Sequence, residues 1–158
     1  MKVKKVIRGR ALYTEENKIW VAQGMTFFAI DYQGNRITRN YKVGTAKERL
    51  IGTFRLSRQL LRQGLHHLVP LPNGDVFVTA KRVSYIVGKD GTIKNIFSGY
   101  LGNKPGHQGV CVTPEGTIFF GEYTLNMKRE NDTHLYRSVD GGMSFQAILT
   151  LKKSDVRH

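Results

Sequence analysis

Apolar runs of strand length, separated by tight-turn residues, organise this chain. Three segments repeat one grammar: ALYTEENKIWVAQGMTFFAIDYQGNRITRNYKV, HLVPLPNGDVFVTAKRVSYIVGKDGTIKNIFSG, and GVCVTPEGTIFFGEY continued by HLYRSVDGGMSFQAILTL. Each reads as an apolar strand, then a turn at Glu16-Asn17, Asn73-Gly74 or Glu115-Gly116, then a second strand centred on Trp20, Phe77 or Phe119. A third strand follows, then a turn holding Gly34, Gly91 or Gly141, then a fourth strand. The pattern predicts four short antiparallel strands per unit and an all-β chain.

Trp20 and Phe77 stand 57 positions apart and Phe77 and Phe119 stand 42 apart, so the repeat varies through inserted loops and keeps its strands. Units of four strands and about forty to fifty residues are the period of β-propeller blades. Such a meander buries one face alone, whereas stacking between similar sheets buries both. The expected fold is therefore a partial β-propeller of about three blades: blade 1 over 9–43, a basic connector over 44–65, blade 2 over 66–99, blade 3 over 107–151, and the start of a further blade over 152–158. Within the connector, Ser57 and Gly64 are positioned to cap and stop a short helix through RQLLRQ. Three blades are fewer than the about four to eight that close a ring, which leaves two readings: a piece of a larger ring, or copies that associate to complete one.

The octapeptide SVDGGMSF, Ser138 to Phe145, falls between the third and fourth strands of the last unit. Asp140-Gly141-Gly142 supplies residues that tolerate positive φ, and short Ser and Asp side chains bond nearby backbone N–H groups. Ser138, Asp140, Gly142 and Phe145 match the Asp-box, Ser-x-Asp-x-Gly-x-(Ser or Thr)-(Trp or Phe). The chain thereby resembles the sialidase-like Asp-box (BNR repeat) propellers. The other two units keep only the glycine, as DYQGN and GKDGT. The resemblance implies a structural turn; it does not choose among sialidases, other glycosidases and binding propellers, because fold does not carry function.

Composition sharpens this picture in a few places. Twenty-five Lys and Arg against 12 Asp and Glu give a formal charge of +13, which favours anionic partners without showing one. The lone Cys111, in the apolar run GVCVT, excludes an internal disulfide and is expected to be buried. No segment has the apolar core of a signal peptide or the length of a membrane span, so a cytoplasmic location without a membrane partner is expected.

In a four-stranded meander the first and third turns lie at one end, here the turn end. The second turn and the connections between units lie at the other, the connection end. The Asp-box falls at the turn end. At the connection end gather His66, His67, His107, Gln108, Lys81, Arg82, Arg157 and His158, together with the insertion from Glu122 to Asp132. These are the expected ligand-binding residues. Aligning LHHLVPLPNG with HQGVCVTPEG sets His66 against Gln108 and His107 against Leu65, so the histidines are out of register for a metal ring; no metal and no cofactor is expected. In sialidases a Tyr nucleophile is paired with a Glu, which makes Glu122 and Tyr123 the candidate catalytic pair; neighbouring strand residues cooperate only if the strand has ended before them. The Arg-x-Pro signature of those enzymes is missing. Trp20, Phe77 and Phe119 read as core between blades.

The expected function is thus a non-catalytic recognition or interaction module with a glycan or other anionic ligand at the connection end. The alternative is part of a sialidase-like glycoside hydrolase; a second alternative is non-specific polyanion or nucleic-acid binding through the basic surface.

Overall fold

A computed structural model describes residues 7–53, 64–80, 83–98, 104–123 and 132–152. Twelve strands form three separate four-stranded antiparallel meanders, none closed into a barrel. The first sheet holds β1 (Arg10–Glu15), β2 (Lys18–Gln23), β3 (Thr26–Ile30) and β4 (Tyr41–Lys42), in that order. The second holds β5 (Leu65–Pro70), β6 (Val76–Ala80), β7 (Val83–Val87) and β8 (Ile93–Phe97). The third holds β9 (Lys104–Val112), β10 (Ile118–Tyr123), β11 (Thr133–Ser138) and β12 (Gln146–Leu151). The closest approaches between sheets bring β1 beside β5 and β5 and β6 beside β9, so the first strands cluster along one edge.

Both faces of the middle sheet are buried, because successive strand residues point to opposite sides. Val76, Val78, Ala80, Tyr85 and Val87 meet Trp20, Ala22, Phe27, Ala29 and Tyr41 of the first sheet. On the reverse side Phe77, Ile86 and Phe97 meet Ile118, Phe120, Tyr136 and Phe145 of the third. Aromatic rings fill this second interface: Phe120 lies 6.1 Å from Phe77, 5.9 Å from Phe97 and 5.0 Å from Tyr136.

The turn end of the second and of the third sheet is clasped by the sheet before it. Arg39 donates to the Asp90 carbonyl and Tyr41 to the Lys89 carbonyl at 3.3 Å. One sheet on, Asn95 Nδ2 donates to the carbonyls of Gly142 and Met143 at 2.6 and 2.8 Å. The caught turn is built from Ser138 to Phe145. Asp140 accepts from Ser138 Oγ, Ser144 N–H and Ser144 Oγ at 2.8, 2.9 and 2.5 Å, and Ser138 Oγ accepts from the Gly142 N–H at 2.8 Å. Gly142 has φ of +89°, and a Cβ there would fall 2.2 Å from Ile86 Cδ1, so only glycine fits against the second sheet.

The helix among the described residues lies at the start of the connector. α1 (Ala46–Thr53) opens on a reciprocal cap: Glu48 N–H donates to Thr45 Oγ1 at 3.3 Å, and Thr45 N–H to Glu48 Oε2 at 2.7 Å. The helix expected through RQLLRQ lies outside the described residues, as do residues 153–158 of the expected further blade.

Two core expectations need correction. Cys111 is exposed, and Phe119 is only half-buried. Phe119 pairs with Cys111 on β9 and with exposed Arg137 on β11, so all three share the face of the third sheet that no further sheet covers among the described residues. Leu149 and Leu151 are exposed as well, at 51% and 48%. Trp20 and Phe77 are buried because a sheet does follow theirs.

Candidate functional site

The polar exceptions in this core collect at one place. Among the described residues the buried polar side chains are Asp75, Thr79, Ser84, Glu122 and Ser138. Asp75 and Ser138 hold turns: Asp75 accepts from Lys94 Nζ at 2.8 and 2.9 Å, and Ser138 belongs to the caught turn. Thr79, Ser84 and Glu122 have no turn to hold. All three sit at the connection end of the crevice between the second and third sheets.

Alternation puts them there. Thr79 follows Phe77 by two and pairs with Ser84, which pairs with Phe97, so this row faces the third sheet. Glu122 follows Phe120 by two, and His134 precedes Tyr136 by two, so they face the second sheet. The register shifts at this level in both sheets, between Leu65 and His67 on β5 and between Phe120 and Glu122 on the β9–β10 pair. Such bulges re-aim side chains and favour sheet edges and sites.

Glu122 is the centre of the cluster, with its side chain fully buried. Its Oε2 accepts from the His134 backbone N–H at 2.8 Å and lies 2.8 Å from His134 Nδ1; its Oε1 accepts from Tyr136 OH at 3.4 Å. The Tyr136 phenol is pushed up to about 12 by burial and by the neighbouring Glu122 charge. The His134 ring is 24% exposed and 5.8 Å from the Tyr136 ring. On the facing sheet, the His67 N–H donates to Thr79 Oγ1 at 3.1 Å and His67 Nδ1 lies 3.0 Å from the same oxygen, while Ser84 Oγ donates to the Phe97 carbonyl at 3.4 Å.

The expected site residues fare unevenly. Glu122 and His67 lie at this end of the crevice, and His66 is their half-buried neighbour on β5. β10 runs through Tyr123, of which only the backbone course is described, and Tyr136 is a tyrosine that bonds Glu122. His107 and Gln108 lie on β9, with only their backbone course described. Lys81, Arg82, Arg157 and His158 lie outside the described residues, as do residues 124–131 of the insertion. Ser138, Asp140, Gly142 and Phe145 form the turn at the other end. His134, Tyr136, Thr79 and Ser84 were missed, although HLYRS carries a signal: its first, third and fifth residues share one strand face.

Among the described residues, no three of His, Cys, Asp and Glu are grouped to hold a metal ion. No described helix is long and apolar enough to cross a membrane. No protein-family model matches the chain, and no curated protein matches it.

Proposed function

We propose that the three sheets are consecutive blades of an Asp-box β-propeller arc. On this reading the chain is a non-catalytic recognition module, binding a polar or anionic ligand, such as an acidic glycan, at the connection end of the second crevice. Supporting the arc are the clustered first strands, the face-to-face stacking and the repeated clasp at the turn end. Supporting the Asp-box is the hydrogen-bonded turn from Ser138 to Ser144.

The observation that carries the reading is the state of Glu122. Its carboxylate is already shared between His134 and Tyr136, and the phenol beside it is held in its protonated form. A buried, protonated Tyr136 is a poor nucleophile, while a fixed polar cluster at the mouth of an apolar crevice suits recognition.

Titrating a sulfated disaccharide against the full chain tests this. The expected result is protection of the connection-end segments from limited proteolysis, without turnover. Cleavage of a fluorogenic glycoside, lost in Glu122→Gln, would establish the hydrolase instead. That alternative draws on the Tyr136–Glu122 hydrogen bond. Binding that disappears as salt rises and does not distinguish one polyanion from another would reduce recognition to the +13 charge.

A further inference from the structure

We infer that His134 is the ligand-contacting group of this face: its imidazolium, held by buried Glu122, takes an oxyanion such as a sulfate or carboxylate at the mouth of the second crevice. The inference rests on the recognition reading above and adds to it a residue, a ligand chemistry and a proton.

Geometry assigns the roles. Both the His134 backbone N–H and its Nδ1 are 2.8 Å from Glu122 Oε2, so one carboxylate oxygen holds the residue by its backbone and its ring together. A ring anchored through Nδ1 presents Nε2 at the opposite side, and among the described residues no hydrogen-bond partner occupies Nε2. The His134 side chain is partly exposed, beside a carboxylate that is sealed from water. Glu122 is therefore a positioning residue, acting through His134, and the protonated form of the ring would offer Nε2–H as a donor.

Charge selects the ligand. The surrounding chain carries +13, so an incoming anion meets a favourable field, and the imidazolium form of His134 would offer it a directed donor. The other titratable or polar groups described at this end do not duplicate this role. Tyr136 donates to Glu122, Asp132 is paired with Lys152 at 3.2 Å, and across the crevice His67 and Thr79 bond one another while Ser84 bonds its own sheet.

The test is sulfate binding to the full chain by histidine-resolved nuclear magnetic resonance at constant ionic strength. Sulfate stays dianionic between about pH 5.5 and about pH 8, the range in which imidazoles exchange their proton. Affinity is expected to fall about tenfold across that range, with the His134 Nε2 resonance shifting most. His134→Asn should abolish the pH dependence and weaken acid-side binding about tenfold; Glu122→Gln, which frees the ring from its carboxylate, should alter the His134 tautomer signature and displace the pH dependence without abolishing it. Arg137→Gln removes a surface charge from the uncovered face and should leave binding unchanged. If Glu122→Gln does not fold, His134→Asn decides alone. Sulfate binding that is equally tight at both pH values, or that persists in His134→Asn, overturns the inference and leaves the recognition reading standing. Absence of binding by sulfate and by the sulfated disaccharide overturns both.

Discussion

The two crevices of this molecule follow one plan and finish differently. In the first, between the first and second sheets, apolar residues run to the connection end, where Ala80 lies opposite Leu65. In the second, the position matching Ala80 two residues past the central core residue is Glu122, which His134 bonds, and Thr79 and Ser84 lie at the same end of the facing sheet. Stacking therefore demands an apolar interior only along the middle of each interface. The last row is open to another use, and one crevice uses it for a carboxylate that costs several kcal/mol to bury without partners.

The largest effect should come from the shared part of the plan. Phe120 is 1% exposed and touches Phe77, Phe97, Tyr136 and Phe145. Phe120→Ala should cost about 3–5 kcal/mol in urea unfolding, as should Phe27→Ala in the first crevice. A loss below about 1 kcal/mol in either would mean that the sheets do not depend on each other.

Next comes the clasp at the turn end. Gly142→Ala combines a left-handed φ with a clash against Ile86, and should cost about 3 kcal/mol by thermal unfolding. Gly141→Ala meets only Asn73 Nδ2 at 3.7 Å, so its φ of +69° is its main cost, about 1 kcal/mol. Equal losses would show that the close approach of the turn to the second sheet is not what selects glycine.

Much of this plan can be read from the chain, because alternation and turn chemistry are local. The turns at Glu16-Asn17, Asn73-Gly74 and Glu115-Gly116, and the glycines at 34, 91 and 141, lie between the strands that the pattern predicts. Contacts set by register are not local. Glu122 meets His134 and Tyr136 because β10 pairs with β11 across an insertion, and no spacing within either strand reveals that partnership. The exposure of Cys111 and Phe119 has the same cause: an apolar strand records that a face can be covered, and neighbouring sheets decide whether it is. The cap of α1 is legible as Thr45-x-x-Glu48, because a capping box is local chemistry.

The polar end of the second crevice gives a smaller, sharper test. Glu122→Gln keeps the shape and replaces a charged acceptor by a neutral amide, so His134 and Tyr136 lose a charge-assisted partner. A loss of about 1–3 kcal/mol at neutral pH is expected from denaturant titration. Ala80→Ser at the matching position of the first crevice, which adds a hydroxyl where the surroundings are apolar, should cost about 1–2 kcal/mol. If Glu122→Gln instead stabilised the fold, the carboxylate would be held at the expense of stability, as functional groups often are.

The smallest effect concerns the exposed side of the turn end and is a matter of pH. Asp140 is held at about 2, below its ordinary 3.8, chiefly by the Ser144 hydroxyl and backbone N–H, with Ser138 adding to them. A carboxyl whose value is lowered by folding contributes stability that is complete above its ordinary range and is lost as pH falls toward the lowered value. Asp140 is solvent-exposed, so screening reduces that contribution to about 0.5–1 kcal/mol. Asp140→Asn should therefore be less stable than the parent at pH 7 by about that amount, and the gap should close between about pH 4 and about pH 2. Glu122 is sealed inside the crevice, whereas Asp140 faces water, so the two carboxylates separate the contribution of burial from that of hydrogen bonding. A gap at Asp140 that stayed constant down to pH 2 would show that the turn depends on the shape of the side chain and not on its charge.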